Sequence, residues 1–265
     1  MRHPSPARST DPRDYQDVPR PLGVLARDVP DHQVTRWHSH KRAQLVYAAA
    51  GAMLVRTREA TWVIPPQRAV WVPAGVPHET ESLGVVKMRT LYIEAGVARR
   101  VTRKCGAINV SPLLRELIVR AATLPVLYPP RSPAARVMQM ILDEIRECTM
   151  MPLSLPLPAH PRLAKICNAL TRNPRRPDTL GQLAAAEGMS KRTAERLFTR
   201  ELSMTFRRWR QQARLLSALT KLATGKSVKL AAFESGYTSQ SAFTSTFKRM
   251  FGTTPTHYFR EALAG

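Results

Sequence analysis

Apolar residues follow two different spacings along this chain. From Val34 to about Ile93 they come in short runs, TRWH, AQLVYA, AMLVRT, TWVIPP, AVWVPA and VVKMRTLYI, rich in Val, Trp and Tyr and broken by Gly or Pro. Closely spaced strands with such turns predict a small all-β sandwich or barrel. Beyond residue 110 the spacing becomes helical. Ser111-Pro112 reads as an N-cap with proline at the first helical position, and the following LLRELIVRAATL puts Leu113, Leu114, Leu117, Ile118 and Ala121 on one face. A second helix starts near Ser132-Pro133, with Val137, Met138, Ile141, Leu142 and Ile145 in register. Two helices of this kind either cover the β-domain or pair with a second chain.

Residues 151–161, MPLSLPLPAHP, are dense in proline and read as a linker. Everything after them is helical. A helix spans His160 to Arg172, Thr179 and Gln182 form a capping box, and Ser190 caps KRTAERLFTREL. Phe206 to Thr224 is the longest helix, about 19 residues and hence ~28 Å, and it stops at Gly225. Ser227, Ser239 and Thr254-Pro255 open three more helices. The predicted division is a disordered, charged lead over 1–17, a β-domain over 18–107, a helical pair over 108–150, a linker over 151–159 and an all-α domain over 160–265.

The all-α part contains a repeat. At an offset of 49 residues Ser190 answers Ser239, Phe198 answers Phe247, Arg200 answers Arg249, Leu202 answers Phe251 and Thr205 answers Thr254. Upstream, LAAAEG at 183–188 matches LAAFESG at 230–236. Each copy is a small-residue helix, a turn containing Gly188 or Gly236, and a serine-capped helix, which is a helix-turn-helix pattern.

The outer faces of the two capped helices differ from an ordinary surface helix. In the second copy Phe243, Phe247 and Met250 form the apolar side, leaving Gln240, Ser241, Thr244, Ser245 and Lys248 outside. In the first, Ala194, Leu197, Phe198 and Leu202 are buried, leaving Lys191, Arg192, Glu195, Arg196, Thr199 and Arg200 outside. An amphipathic surface helix explains one such face. Two copies in a basic domain point to major-groove reading.

Charge agrees with that. Lys and Arg number 41 against 19 Asp and Glu, giving +22 and a pI near 11.2, so the partner is a polyanion, nucleic acid or an anionic membrane. Residues 158–265 hold 19 basic against 6 acidic side chains, so the helical part carries the denser field. No apolar run approaches the ~18 residues of a membrane span, and the start lacks a signal-peptide core. Nucleic acid, no membrane, and a cytoplasmic, nucleoid-associated location are expected. Cys105, Cys148 and Cys167 are odd in number and scattered, so neither a disulfide framework nor a zinc finger follows.

Over about 160–262 the chain resembles the DNA-binding domain of the AraC/XylS family of bacterial transcription regulators, through Gly236, Tyr237, Ser239, Phe243, Phe247, Lys248, Phe251, Gly252 and Pro255. The resemblance implies two recognition helices on one chain, set in successive major grooves by the long helix between them. It puts base-facing roles on Arg192, Glu195 and Arg196, and on Gln240, Ser241, Thr244 and Ser245. Arg192 and Arg196 suit guanine and Gln240 suits adenine. Ser245 stands where relatives often carry a longer side chain, which weakens base reading by the second unit. Lys191, Arg200, Lys248 and Arg249 read as phosphate contacts or solvated charges.

In the β-region, WHSHKRAQLVYAAAG fits H-x-H-x3-Q-x6-G through His38, His40, Gln44 and Gly51, and PAGVPH fits P-x-G-x2-H through Pro73, Gly75 and His78. Residues two apart on a strand face one way, so His38 and His40 point together. The pair of motifs resembles those of cupin barrels, in which three His and a Glu bind a divalent metal. PPQRAVWVPAGVPHE also recurs in the sensor domains of a subgroup of the AraC/XylS family. By that resemblance His38, His40, His78 and Gln44 line a ligand pocket, and the three His form a site for Zn, Fe, Ni or Cu. Gln44 departs from the pattern, because a neutral amide replaces the carboxylate. The other reading is that these His only hydrogen-bond around a pocket. Trp37, Tyr47, Trp62 and Trp71 either line that pocket or, as small barrels favour, belong to the core.

The resulting expectation is a regulator, not an enzyme, whose binding to double-stranded promoter DNA responds to a small molecule or metal in a cupin-like domain. A homodimer is left open, as is repression against activation. The alternatives are a metal-dependent cupin enzyme fused to a DNA-binding domain, and a constitutive DNA binder with a structural barrel.

Overall fold

A computed structural model describes residues 9–65, 67–99, 101–151 and 154–263. The chain divides into two compact units, residues 1–57 with 64–152, and residues 58–63 with 153–265.

In the first unit Asp11 caps a 3-10 turn over Pro12–Tyr15 by accepting from the Arg13 N–H, and Tyr15 is buried. The lead therefore already contributes a core side chain, packed 5.8 Å from Tyr92. Residues 1–8 of that lead lie outside the described residues. The strands are β1 (Leu22–Val29), β2 (Val34–His38), β3 (Ala43–Thr57), β5 (Arg68–Val72) and β6 (His78–Ile93), while β4 (Ala60–Ile64) belongs up to residue 63 to the second unit. A short α1 (Ala95–Ala98) precedes β7 (Gly106–Asn109), and α2 (Pro112–Ala121) and α3 (Pro133–Glu147) precede β8 (Met150–Met151).

Two runs expected as separate strands, AQLVYA and AMLVRT, form the single long β3. It lies antiparallel to the equally long β6, with register shifts between Ala48 and Ala50 and between Ala50 and Ala52. Such bulges bend a strand without ending it. Gly51, at φ +79, sits at that bend, where a Cβ would lie 2.5 Å from the Val85 carbonyl. β1 and β2 pair with β6, and the order β1-β6-β3-β5-β7-β8 does not return to its start. The domain is therefore a bent, open β-sheet with the cupin-like pattern of long shared strands, not a closed barrel.

Alternation separates the two faces of this sheet. Leu22, Val24, Ala43, Leu45, Tyr47, Trp71, Leu91 and Ile93 share a core with Leu114 and Ile118 of α2 and Met138, Ile141, Leu142 and Ile145 of α3. The helical pair thus covers the sheet. Ser111 and Ser132 cap the two helices as expected, each with proline following. Leu113 is a correction. It was expected in the buried stripe, but it is 50% exposed because it lies on the flank of the α2 face centred on Leu114 and Ile118. Tyr47 and Trp71 belong to this core, Trp62 is buried, and Trp37 is half exposed, so none of the first three is free to line an open pocket.

In the second unit, part of the stretch expected to be a linker forms β9 (Ser154–Pro156), which pairs antiparallel with β4. Pro156 has no N–H to give, but its carbonyl accepts from Trp209 Nε1 at 3.0 Å. The helices are α4 (Pro161–Arg172), α5 (Leu180–Ala186), α6 (Lys191–Leu202), α7 (Phe206–Ala223), α8 (Val228–Glu234), α9 (Gln240–Phe251) and α10 (Pro255–Leu263). The capping residues read from the sequence cap as expected: Thr179 with Gln182, then Ser190, Ser227 and Ser239. α7 is the central beam, packing on α4, α8, α9 and β9 through buried Trp209, Ala213, Leu216 and Leu219.

Candidate nucleic-acid interface and ligand pocket

The two helix-turn-helix units close their turns in the same way. Met189 N–H donates to Ala184 O at 2.9 Å, and Tyr237 N–H donates to Ala232 O at 3.1 Å, each around a glycine at positive φ, +64 at Gly188 and +84 at Gly236. These bonds satisfy carbonyls left open at a helix end, and only glycine adopts the required backbone cheaply. The sites differ in crowding. A Cβ on Gly236 would meet Pro174 O at 2.5 Å, whereas on Gly188 its nearest neighbour is the end of Arg162 at 3.7 Å.

In α6 the buried face is Ala194, Leu197, Phe198 and Leu202. Lys191, Arg192, Glu195, Arg196 and Arg200 are exposed. Arg192 and Arg196 make no hydrogen bond or ion pair among the described residues, while Lys191 lies 3.8 Å from Glu195 and Arg200 lies 3.3 Å from Glu201. In α9 Phe243 and Phe247 are buried and Met250 only half-buried. Gln240, Ser241, Ser245 and Lys248 are exposed and Thr244 is half-buried. None of these five has a side-chain partner among the described residues, so their hydrogen-bonding groups are available to a ligand. Aromatic packing fixes this helix from behind: Tyr237 on Phe243 at 5.1 Å, Phe243 on Phe247 at 5.7 Å, and Phe247 on Phe251 at 4.4 Å. Burial pushes the Tyr237 hydroxyl up to about 12, so it stays a neutral part of that cluster.

The inward face of the sheet in the first unit holds the histidines. His38 ends β2, His78 opens β6 directly opposite it, and His40 follows in the connection to β3. Their ring centroids lie 4.3 Å (His38–His78), 4.8 Å (His38–His40) and 5.4 Å (His40–His78) apart. Each offers a ligand nitrogen within 4.8 Å of the others, and no carboxylate or thiolate joins the cluster among the described residues. Nδ1 of His38 is 2.6 Å from Arg36 O, and Nδ1 of His78 is 3.0 Å from Val76 O. On His38 this anchor leaves Nε2 to serve as a ligand atom, whereas Nε2 of His78 already faces Gln44 Oε1 at 2.8 Å and would meet a metal only by giving up that contact. His40 Nε2 is buried with no partner. Burial first, and neighbouring imidazoles second, push His40 down to about 4. His78 is likewise pushed to about 4, chiefly by burial. Both rings are therefore neutral near pH 7, the form that binds metal. The donor set and the unpartnered His40 nitrogen fit a divalent transition-metal ion.

Gln44, 5% exposed, projects from β3 with its Oε1 2.8 Å from His78 Nε2. Its Nε2 donates to Thr90 Oγ1 at 2.9 Å and to Tyr92 OH at 3.3 Å, and Tyr92 packs its ring 5.0 Å from that of His40. Thr90 and Tyr92 were missed from the sequence. The signal is the alternation within VVKMRTLYI, which sets Met88, Thr90 and Tyr92 on one face and Arg89, Leu91 and Ile93 on the other.

The chain thus joins a β-rich domain with an inward polar cluster to a basic domain with two helix-turn-helix units. Residues 23–150 match the AraC-like ligand binding domain family, and residues 183–261 match a helix-turn-helix domain family. The chain is 34% identical over 221 residues, 83% of this chain and 81% of the relative, to the HTH-type transcriptional regulator NimR of Escherichia coli (strain K12). It is 31% identical over 103 residues, 39% of this chain and 31% of the relative, to the HTH-type transcriptional regulator RipA of Corynebacterium glutamicum. Among solved structures, ToxT from Vibrio cholerae aligns over 91% of this chain and 98% of its own, at 10% identity and a TM-score of 0.39. This make-up is that of a one-component transcription regulator, a ligand-binding domain and a DNA-binding domain on one chain. The protein belongs to the AraC-type family of HTH transcription regulators. No helix among the described residues is long and apolar enough to cross a membrane.

Proposed function

We propose that a small molecule or a divalent metal held by His38, His40 and His78 changes the affinity of the helical domain for its promoter. The histidine cluster carries this reading, because a buried imidazole nitrogen without a partner is costly unless a ligand meets it. A metal there would supply a Lewis-acidic centre with an open position for a further ligand. The chain acts as a regulator rather than an enzyme, as the HTH-type transcriptional regulators it resembles do. Its place of action is the cytoplasm, on double-stranded promoter DNA.

On DNA, α6 reads bases through Arg192, Arg196 and Glu195, while α9 reads through Gln240, Ser241, Thr244 and Ser245 with a lighter contribution. Lys191, Arg200 and Lys248 meet phosphates. The free guanidinium groups of Arg192 and Arg196 support this, because each can form two bonds to a guanine edge without first breaking an internal pair. α7, with 18 residues and hence ~27 Å long, spaces the units for successive grooves about 34 Å apart. The full chain binds an operator as a monomer or as a homodimer, which sedimentation of the complex decides.

The test is an operator titration of the full chain with and without Zn(II), Ni(II) or Cu(II) and with candidate small molecules. The coupling is a free energy shared by the two sites, so the effector must move operator affinity by the same factor by which DNA moves effector affinity. Binding without that movement would remove the proposal and leave a constitutive DNA binder.

A further inference from the structure

Three features of the inward face bear on what kind of molecule accompanies a metal there, and the inference from them rests on the metal reading above. The first is charge. As metal ligands, imidazoles contribute no charge, the Gln44 amide contributes none, and no carboxylate joins the cluster among the described residues. A divalent ion held by this set keeps its full +2 in a half-buried place, where uncompensated charge is strongly disfavoured.

The second is that Gln44 occupies the carboxylate's position and is fixed there. Its oxygen faces His78 Nε2 at 2.8 Å, and its nitrogen is tied to Thr90 and Tyr92. Thr90 in turn donates to Leu45 O at 3.1 Å. The amide is built into the sheet.

The third is Arg27. The register of β1 on β6 sets Arg27 opposite Met88 and Leu25 opposite Thr90, which places Arg27 on the Thr90 and Tyr92 face. Its side chain makes no ion pair or hydrogen bond among the described residues, and its Nε is buried without a partner. Burial raises the Tyr92 hydroxyl and the Arg27 charge opposes that rise; the same hydroxyl accepts from Gln44, and the Tyr92 ring packs on His40. An unpaired guanidinium on the same face as a neutral cation site is a second unmet demand for negative charge.

We propose that the pocket is an anion receptor, taking a small organic carboxylate as the ligand of a metal-loaded histidine site, with the cation and Arg27 as the two charges that select it. Gln44 determines this specificity. The carboxylate that a Glu would have supplied from the protein is left to be supplied by the effector.

The experiment uses the full chain, freed of metal and titrated with Co(II), whose visible absorption reports its ligands. Benzoate and acetate are then titrated onto the loaded protein, with benzamide as the neutral control. Both carboxylates should perturb the Co(II) spectrum, and benzamide should not. Gln44→Glu should tighten Co(II) and weaken benzoate, each by about ten- to a thousandfold, the range over which one adjacent charge shifts a binding equilibrium. Arg27→Gln should weaken benzoate while leaving Co(II) affinity unchanged. Co(II) bound with no response to either carboxylate, or an equal response to benzamide, overturns the anion receptor while leaving the metal site standing. Unchanged benzoate affinity in both variants overturns it as well. If neither Co(II) nor Zn(II) binds, the metal reading falls and the receptor with it.

Discussion

The two helix-turn-helix units share a backbone plan but distribute their side chains differently. The first has a looser turn and a charged face. Nothing crowds Gly188, and Arg192 and Arg196 stand free of any internal partner. The second has a tight turn and a face of hydroxyls and one amide. Gly236 is pressed against Pro174, and Phe243, edge-on to Phe247, which stacks on Phe251, backs the helix. Long side chains with two-pronged donors discriminate bases, whereas short hydroxyls on a rigid support hold a fixed distance from the backbone. This contrast is the basis of the proposed division of labour, in which the first unit reads sequence and the second docks.

Substitutions test this contrast in order of expected effect. Gly236→Ala should destabilise the helical domain by roughly 2–4 kcal/mol, combining the strain of a positive φ with overlap on Pro174 O. Thermal or urea unfolding of the full chain measures it, and a loss no larger than that of Gly188→Ala would erase the claim that the second turn is the tighter. Arg196→Ala should cost roughly 1–3 kcal/mol of operator binding and relax preference at one base position, with folding intact. An unchanged footprint and affinity would take Arg196 out of the reading set. Gly188→Ala should cost only about 1–2 kcal/mol, since only backbone strain is involved. Smallest of all, Lys248→Ala should weaken specific and non-specific DNA about equally and lower the salt slope by about one. A selective loss of operator binding would instead make α9 a base reader on a par with α6.

The same contrast governs the two domains. In the helical domain the serine and threonine caps, the glycine turns and the buried stripe Ala194, Leu197, Phe198 and Leu202 were all legible beforehand. Caps and helical stripes are local, set by residues within about four positions of one another. In the β-domain far less was legible. β1 hides in a run ending in Ala26-Arg27-Asp28, and AQLVYA and AMLVRT look like two strands because Gly51 mimics a turn. Only pairing with β6 shows that the chain passes straight through Gly51 on a bulge. β9 hides within a proline-rich stretch because its partner β4 lies some ninety residues away.

His78 carries a further consequence of that pairing. It lies opposite both His38 and Thr57, so His78→Ala should abolish the response to any pocket ligand without touching non-specific DNA binding. Retained induction in that variant would move the effector site elsewhere.

By itself, then, the sequence determined the basic, twice-repeated helix-turn-helix domain, the β-texture before it, and the three histidines with Gln44 in place of a carboxylate. Tertiary structure alone decided that the sheet stays open, that α2 and α3 cover its outer face, and that Thr90, Tyr92 and Arg27 share the inner face with the histidines. The physical reason is range. A helix is specified by neighbours in sequence, whereas the face a strand residue occupies depends on a register set by a distant partner, and a shift of one residue would turn Arg27 from the face of Thr90 and Tyr92 to the face covered by the helices.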